Sequence, residues 1–506
     1  MKKETRLFLA CITALVTTSF GFIVRAFLIA EWGQKFDLSD TQIGALQGAG
    51  LFPFALSIIL FSLVVDRIGY GRSMAVAWIG HVVSAIVTMT ATGYTQLYIG
   101  TFLFALANGV VEAVANPVTA TLYPATKTKH LNILHSGWAG GLVLGGVLAI
   151  AMGGLEWRWK IGLFLLPALG YGVMMLGCKF PVQERVAAGV SYRDMLREFG
   201  WAGCAIVSYF VAMAFDEVAR GIFHTALPPA VIWTITLVPT LFFGFTVRSF
   251  GRPVFVILLC VMVLLATTEL GTDSWVTALM TPVLAGISVH AGAWLLVYTS
   301  AVMLVLRLSA GSIVHRISPL GLLAVCAALA TAGLFWLAHA GAVAGIIFLA
   351  ATLYGVGKSF FWPTTLAVVS EQFPKGGALT LNAMGGMGMI AVGVLGSPLL
   401  GVIQDKYFEE AIRADDPALH ATLAGPAESK FGLSYQPLEK QKIAALPATT
   451  RTRVEAIRNT NNQATLAKMA ALPATMFLCY VGLLLYYRGR GGYRAVTLAA
   501  TQAPVP

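Results

Sequence analysis

Four ionisable side chains stand out within the long apolar stretches of the sequence: Arg25, Glu112, Glu269 and Lys358. A charge at the centre of a membrane-spanning helix costs roughly 2.5–3.5 kcal/mol on insertion scales, so such a residue usually faces a polar cavity or a partner of opposite charge. Two carboxylates and two cations can pair, and a buried carboxylate that loses its cation binds a proton more readily. These residues therefore predict ion-pair and proton-transfer chemistry within an apolar bundle.

The four charges predict two pairs. We expect Arg25 to interact with Glu112, and Glu269 to interact with Lys358, directly or through water or a bound solute. In this interpretation the two glutamates are proton-coupling residues and the two cations contact the solute. The alternative is that both pairs are purely structural and hold helices together.

Five polar and aromatic residues in or beside repeated motifs of the sequence are further candidates for solute binding: Asn132, His135, Trp138, Trp362 and Asn382. Asparagine and histidine side chains can donate or accept hydrogen bonds, and a tryptophan ring can stack on a sugar ring. Helix packing is an equal alternative for the two asparagines. His135 could instead join a proton path, because histidine titrates near neutral pH.

Charged residues also follow the ends of predicted spans. Three of them are candidate gating residues, with topological anchoring as the alternative: Asp66, Arg67 and Arg316. A separate group predicts a structural cluster, because Asp216 and Glu217 precede Arg220 by four and three residues and therefore share a helix face with it.

The composition explains where these charges lie. The chain has 506 residues, of which 57% are hydrophobic and 11% charged, and its mean hydropathy is +0.77. Soluble domains carry about 25% charged residues, so this set cannot build a water-exposed surface. Apolar runs of about 20 residues can cross a bilayer, and backbone groups in lipid require helices. We predict an all-α polytopic membrane protein with fourteen spans near residues 7–30, 42–64, 73–92, 97–122, 131–154, 158–178, 200–223, 227–247, 253–280, 289–313, 319–339, 343–369, 378–403 and 471–487.

Orientation follows from the basic residues in short loops. With the N-terminus inside, the cytoplasmic segments hold eighteen lysines and arginines and the short outer loops hold four. This distribution predicts that both termini are cytoplasmic. It also explains the net charge of +11 as a topology signal, so we expect no nucleic-acid partner.

The spans divide into three regions. Residues 1–180 predict an N-terminal six-helix bundle, and residues 181–252 predict a cytoplasmic linker with two extra transmembrane helices. Residues 253–506 predict a C-terminal six-helix bundle that contains a polar extracytoplasmic insert at 404–470. We expect short helices and turns in this insert, without a large core, that form either a plain connector or a cap.

An internal repeat supports two bundles. Residues 116–119 (Asn-Pro-Val-Thr) precede Leu131-Asn132 and a glycine-rich run, and residues 362–365 (Trp-Pro-Thr-Thr) precede Leu381-Asn382 and a second such run. The loops at 65–69 and 314–318 also correspond. Matching motifs in the same order indicate duplicated halves, which in secondary transporters surround a binding site near the bilayer midplane.

These motifs resemble a known family. Residues 36–44, and residues 66–69 (Asp-Arg-Ile-Gly), resemble the major facilitator superfamily. Residues 112–117 (Glu-Ala-Val-Ala-Asn-Pro) and 131–136 (Leu-Asn-Ile-Leu-His-Ser) are similar to the fucose/glucose–proton symporter branch, as are residues 361–364 and 397–401. The resemblance implies a major facilitator fold and a proton-coupled sugar symporter, with Glu112 in the proton-carrying position. The branch has an acidic residue on helix 1 where this chain has Arg25 or Ala26.

The leading functional hypothesis is proton-coupled symport of a small polar solute, a sugar or sugar derivative, across the bacterial inner (plasma) membrane by a monomeric protein. An organic anion or sugar acid bound by Arg25 and Lys358 is the alternative. A polytopic membrane enzyme with residues 404–470 as its active face, and a transporter-like sensor, are two further hypotheses. The sequence contains no phosphate-binding Gly-x-x-x-x-Gly-Lys-Ser/Thr loop and no metal-ligand motif, so we expect no cofactor and a proton or other cation gradient as the energy source.

Overall fold

The computed structural model describes residues 2–223, 225–281, 283–284, 291–314, 316–341 and 343–498. We call residues 1–180 the N-terminal half and residues 253–506 the C-terminal half. The helices of the N-terminal half are α1 Lys3–Lys35, α2 Asp40–Ile68, α3 Tyr70–Met89, α4 Tyr94–Leu122, α5 Lys127–Ala151, α6 Trp157–Leu163 and α7 Leu165–Met175. Between the halves lie α8 Glu184–Ala187, α9 Tyr192–Phe223 and α10 Pro229–Val247.

The C-terminal half is also helical, with a small insert. Its bundle contains α11 Pro253–Ala266, α12 Thr272–Met280, α13 Ala291–Leu308, α14 Ala310–Val314, α15 Pro319–Ala338, α16 Ala344–Lys358, α17 Phe361–Gln372, α18 Gly377–Ala391, α19 Ser397–Asp415 and α23 Ala471–Arg488. A π-helical turn joins α11 to α12 at Thr267–Gly271, and a second joins α18 to α19 at Val392–Gly396. The insert contains α20 Pro417–Leu423, β1 Glu428–Lys430, β2 Leu433–Tyr435, α21 Lys440–Ala444 and α22 Ala448–Met469.

The predicted membrane helices are present among the described residues, and some of them are interrupted. Among the described residues, thirteen helical segments are long and apolar enough to cross a membrane. The run predicted at 158–178 is divided between α6 and α7, and α6 ends at Leu163, four residues before Pro167. Proline lacks an N–H donor and clashes with the carbonyl four residues earlier, so the helix is interrupted there. The total of fourteen spans stays a prediction, and the predicted start of the tenth span at 289 lies outside the described residues.

The two ends of the bundle are distinguished by their loops. We call the end at which α1 begins and α2 ends the basic end, because the arginine- and lysine-rich loops lie there. The opposite end, which carries residues 404–470, is the insert end. Each long membrane helix runs from one of these ends to the other, so depth within the bundle can be judged from position along a helix at 1.5 Å per residue.

The repeat in the sequence is matched by backbone geometry. Tyr123 has φ −126° and ψ 60°, and Phe373 has φ −127° and ψ 50°. Each residue is followed by a single 3₁₀ turn, Pro124–Thr126 or Pro374–Gly376, and then by a glycine-rich helix. Because these turns join corresponding helices of the two halves, they support the duplication that the motifs predict.

Glycine permits close helix packing within the N-terminal half. A Cβ atom at Gly141 on α5 would lie 2.0 Å from the Ser19 hydroxyl and 2.5 Å from the Val16 carbonyl oxygen on α1. We therefore expect Gly141→Ala to destabilise the protein by about 1–3 kcal/mol, the usual cost of an overpacked core. Thermal unfolding of the purified protein would measure this. Gly140→Ala is the matched control, since a Cβ there meets only Leu304 Cδ1 at 3.7 Å; an equal loss of stability in both variants would contradict the prediction.

The two extra helices differ in their surroundings. Helix α10 exposes Phe242 and Phe245 by 73% and 77%, as expected of a surface that faces lipid. Helix α9 instead packs along α2 and α18, where the N-terminal and C-terminal halves meet. Near the insert end of α9, Asp216 pairs with Arg220 as the spacing predicts, at 2.9 Å.

The insert is more ordered than the sequence indicates. Its helices and β-hairpin surround a small core of their own: Phe408, Ile412, Leu423, Ile443 and Val454. The expectation of short helices and turns is therefore incomplete, since α22 is 22 residues long and a two-stranded sheet is present. The hairpin contacts α9 through an ion pair in which Lys430 Nζ lies 2.5 Å from Glu217 Oε1. The residues that the structure describes are otherwise all-α, as predicted.

Candidate functional site

The charges of the C-terminal half form two buried ion pairs, but the partners differ from those predicted. Glu269 accepts a hydrogen bond from Arg307 at 3.0 Å, and Lys358 pairs with Asp273. The predicted direct contact between Glu269 and Lys358 is therefore not formed, and an interaction of the two through water or a bound solute stays a prediction. Arg307 and Asp273 were missed, although both are ionisable residues within predicted spans, which was the signal that could have identified them.

Arg25 lies inside the N-terminal half and does not pair with Glu112. Its guanidinium donates to Ser84 Oγ at 2.9 Å and lies 3.9 Å from the centre of the Phe104 ring. Among the described residues, none provides a carboxylate within 4 Å of it. Depth explains the error, because Arg25 is roughly 15 Å from the insert end of its helix whereas Glu112 is roughly 27 Å from that end of α4. Ring contact and hydrogen bonds, not a carboxylate, stabilise this cation.

A chain of hydrogen bonds connects Glu112 with Glu269 across the two halves. Asn116 Nδ2 donates to Glu112 Oε2 at 2.6 Å, and Asn116 Oδ1 lies 2.9 Å from His135 Nε2. The His135 carbonyl oxygen then accepts from Arg307 Nη1 at 3.0 Å, and Arg307 Nη2 donates to Glu269. All five residues are buried. We call this set, from Glu112 to Glu269, the polar chain.

The direction of these bonds defines the state of His135. Because the Asn116 amide donates through nitrogen to Glu112, its oxygen is left to accept from the imidazole. His135 Nε2 must then carry a hydrogen. His135 therefore belongs to the polar chain through two groups. Its imidazole bonds to Asn116, and its backbone carbonyl oxygen accepts from Arg307.

Asn132 and Asn382 make reciprocal contacts between the halves. Asn132 on α5 donates to Thr364 Oγ1 on α17 at 3.2 Å, and Asn382 on α18 donates to the Ala113 carbonyl oxygen on α4 at 3.0 Å. Helices α5 and α18 correspond in the repeat, as do α4 and α17, so the two contacts join corresponding pairs of helices. Both Oδ1 atoms are buried without a partner among the described residues.

The two candidate tryptophans pack within their own halves. Trp138 lies 6.1 Å from the Phe22 ring centre, and Trp362 lies against α18, where a Cβ at Gly388 would be 2.5 Å from its ring. Both are largely buried, at 8% and 7% exposure. Among the described residues, neither tryptophan forms a hydrogen bond or a ring contact with a member of the polar chain.

The predicted gating residues lie at the basic end with different partners. Asp66 pairs with Arg185 of the linker at 2.5 Å, and both side chains are buried. Arg67 lies 4.6 Å from the Tyr192 ring centre, and Arg316 is exposed. Arg185 was missed because it lies outside any span, and only the folded linker brings it to α2.

A second group of contacts joins the halves at the basic end. Lys127 on α5 donates to the Ser370 carbonyl oxygen at 3.1 Å and pairs with Glu184 at 2.6 Å. Thr128 Oγ1 donates to Glu371 Oε1 at 2.5 Å, and Tyr493 of the C-terminal tail donates to Glu371 Oε2 at 2.8 Å. Burial, followed by the Glu371 carboxylate, raises the pKa of Tyr493, so its hydroxyl remains a donor. Glu371 thus connects both halves and the tail.

We expect Tyr493→Phe to weaken the closure of the basic end. The change removes one hydrogen bond to a carboxylate, worth about 1.5–3 kcal/mol, and leaves the ring contact with Tyr487 at 5.5 Å. The rate at which a cysteine at Thr121, which lines the small cleft between the halves at this end, reacts with a water-soluble maleimide should rise severalfold. Tyr486→Phe is the control, and equal rates in the two variants would contradict the role of Tyr493.

The described residues contain no group of three or more histidine, cysteine, aspartate or glutamate side chains that could hold a metal ion. The buried site is therefore described by hydrogen bonds and ion pairs between side chains. Such groups can bind protons and polar solutes, and each ion pair can exchange its partner when a carboxyl group is protonated.

Comparison with known proteins identifies the family. Residues 7–397 match the model of the Major Facilitator Superfamily. A relative, multidrug resistance protein D of Escherichia coli (strain K12), is 22% identical over 233 residues, which span 43% of this chain and 58% of the relative. A single-residue variant of the fucose:proton symporter of E. coli superimposes with a TM-score of 0.59 at 14% identity, covering 95% of this chain and 99% of that one. The human organic anion transporter MFSD10 gives a TM-score of 0.62 at 12% identity, covering 95% and 100%.

The family match covers most of the N-terminal half and the C-terminal half as far as residue 397, and the structural matches share the fold at low sequence identity. The helices, the paired turns and the reciprocal asparagine contacts agree with that fold. The chain therefore belongs to the Major Facilitator Superfamily and is an integral, multi-pass membrane transporter, not an enzyme.

Proposed function

We propose that this protein is a proton-coupled symporter of a small polar solute, a sugar or sugar derivative, that works by alternating access. The polar chain is the observation that carries the proposal. It contains one buried carboxyl group from each half, Glu112 and Glu269, connected by hydrogen bonds that cross the boundary between the halves. A carboxyl group in this position can link proton binding to a movement of the halves.

Glu112 is suited to carry a proton. Its carboxylate accepts from Asn116, and among the described residues no lysine, arginine or histidine lies within 4 Å of it. A buried carboxylate without a cation is costly, and protonation removes that cost. Glu112 can therefore bind and release a proton without breaking an ion pair.

Unsatisfied acceptors favour a hydroxylated solute. The Oδ1 atoms of Asn132 and Asn382, and the Oε2 atom of Glu269, are buried without partners among the described residues. Buried acceptors need donors, and sugar hydroxyl groups supply them. A carboxylate group supplies acceptors only, so it would not satisfy these atoms.

The organic-anion alternative requires free cations. In this structure Lys358 is paired with Asp273, Arg307 is paired with Glu269, and Arg25 lies within the N-terminal half. An anionic solute would have to displace a carboxylate from one of these pairs. The neutral sugar is therefore the proposal that the charges support better.

Orientation and location belong to the same proposal. The basic residues of the loops support a cytoplasmic basic end, with both termini inside, in the bacterial inner membrane. We propose that the monomer is the working unit, that its partners are the solute and lipid, and that a proton or other cation gradient drives transport without a cofactor.

Uptake into proteoliposomes tests the proposal. Purified protein would be reconstituted, an acidic exterior imposed, and the accumulation of radiolabelled hexoses and pentoses compared with that of hexuronates. Accumulation of a neutral sugar above equilibrium, abolished by a protonophore, is the expected result. Preference for the hexuronates would overturn the sugar assignment. Equilibration without accumulation would overturn proton coupling, and binding without counterflow would favour a sensor.

A further inference from the structure

We infer that Arg307 is a positioning residue that ties the two halves together while Glu269 is ionised, and releases them when Glu269 is protonated. This inference rests on the proposed function, because it specifies how proton binding would reach the boundary between the halves. The observation behind it is the geometry of a single guanidinium group, which contacts both halves at once.

Arg307 directs three nitrogens toward three different elements. Nε donates to the Ser359 carbonyl oxygen at 2.6 Å and Nη2 donates to Glu269 at 3.0 Å, both within the C-terminal half. Nη1 donates to the His135 carbonyl oxygen on α5, in the N-terminal half, at 3.0 Å. The rigid planar fork of arginine holds these directions together, so a change at Glu269 alters the contact with His135.

Among the described residues, Glu269 is the carboxylate that forms an ion pair with Arg307. The side chains of Arg307 and Glu269 are 1% and 2% exposed. A hydrogen bond to a charged group is roughly twice as strong as a neutral one, and an uncompensated buried cation is strongly destabilising. Protonation of Glu269 would therefore favour movement of the guanidinium toward water, which breaks its bond to His135.

Other charged groups face this pair and must be included. Asp273 on α12 lies near both Glu269 and Arg307, and Lys358 on α16 lies near Glu269. Glu112 on α4 and His135 on α5 lie near Arg307. Lys358 and Asp273 neutralise each other. The net charge beside Arg307 is thus decided by Glu269 together with Glu112, the two carboxyl groups of the polar chain.

The helices that carry this tie form one of the two most extensive contacts between the halves. Helix α5 packs against α13, and a Cβ at Gly140 on α5 would lie 3.7 Å from Leu304 Cδ1 on α13, one turn from Arg307. Separation at this point must accompany any opening of the halves along α5 and α13. The proximity of α5 to α13 at this point can be measured by cross-linking.

The experiment uses cysteines at positions 140 and 304, after replacement of the native cysteines, and a short bifunctional methanethiosulfonate reagent. The control pair is Thr13→Cys with Gly170→Cys, which joins α1 to α7 within one half; a Cβ at Gly170 would lie 3.8 Å from Thr13 Cγ2, so this pair also lies within reach of a short reagent. Cross-linking yields at 140–304 are divided by control yields at the same pH, so that the dependence of thiol reactivity on pH is removed.

We expect Glu269→Gln and Arg307→Gln each to lower the normalised yield severalfold, and the double variant to resemble Arg307→Gln alone. With Glu269 and Arg307 both intact, the yield should fall as the pH is lowered, whereas the Glu269→Gln variant should show no such dependence. Glu31→Gln, which alters a pair with Lys160 at the insert end, should leave the yield unchanged. The control pair also reports whether each variant is folded.

Three results would overturn the inference. An unchanged yield in Glu269→Gln, with a reduced yield in Arg307→Gln, would make Arg307 a structural tie that does not sense charge. A yield that is independent of pH would contradict release by protonation, and a yield unaffected by Arg307→Gln would exclude the tie itself. Failure of the proposed function is seen separately, since the cross-linking assay requires no solute and no proton gradient.

Discussion

Glu112→Gln is expected to abolish proton-driven solute accumulation while it preserves part of the solute exchange. Glutamine keeps an acceptor for Asn116 Nδ2, which donates to Glu112 at 2.6 Å, so the geometry of the polar chain can persist. It cannot bind or release a proton at this position. With one proton per solute, a gradient of one pH unit supports at most about tenfold accumulation, since about 1.4 kcal/mol corresponds to a factor of ten. The variant should reach a ratio near one.

Proteoliposomes provide the measurement of both activities. Uptake driven by an acidic exterior reports accumulation, and counterflow at equal pH reports exchange. Glu31→Gln is the matched control, because Glu31 is a partly exposed partner of Lys160 and lies outside the polar chain. Unchanged accumulation in Glu112→Gln would remove Glu112 from the coupling mechanism.

Lys358→Met is expected to destabilise the protein by about 3–5 kcal/mol, the usual effect of removing one partner of a buried ion pair. The Lys358 side chain is fully buried and its partner Asp273 is 10% exposed, so the variant leaves an uncompensated carboxylate. The double variant Lys358→Met/Asp273→Leu should recover most of the loss, because an apolar pair of similar size carries no buried charge.

Denaturant unfolding of the purified protein in a single detergent would measure these differences. Lys35→Met serves as the control, since Lys35 and Glu156 are 3.5 Å apart with 43% and 45% of their side chains exposed, and surface pairs contribute about 1 kcal/mol or less. A double variant that is no more stable than Lys358→Met would show that the loss comes from packing and not from charge.

The sequence was sufficient to predict that the protein is helical and that its two halves are related by duplication. Apolar runs of membrane length have one stable solution in lipid, a helix whose backbone bonds are internal. The paired motifs at 116–119 and 362–365 lie next to matching turns, and Asn132 and Asn382 each donate a hydrogen bond to the other half. These features are local or repeated, so they can be recognised in one dimension.

Ion-pair partners could not be predicted in the same way. The sequence indicated that Glu269 and Lys358 need partners, but Arg307 and Asp273 provide them. Pairing depends on the depth and rotation of each helix, and the π-helical turn at Thr267–Gly271 changes the rotation by an extra residue per turn. Arg25 illustrates the role of depth, because it lies closer to the insert end than Glu112 does.

By itself, then, the sequence determined that this chain forms apolar helices in two related sets with charged residues at bilayer depth. Only the tertiary structure decided which charges meet, that Arg307 joins the halves through His135, and that the insert has a core of its own. The physical reason is that hydrophobicity and helix formation depend on neighbouring residues, whereas an ion pair depends on the positions of two distant helices to within one side-chain length.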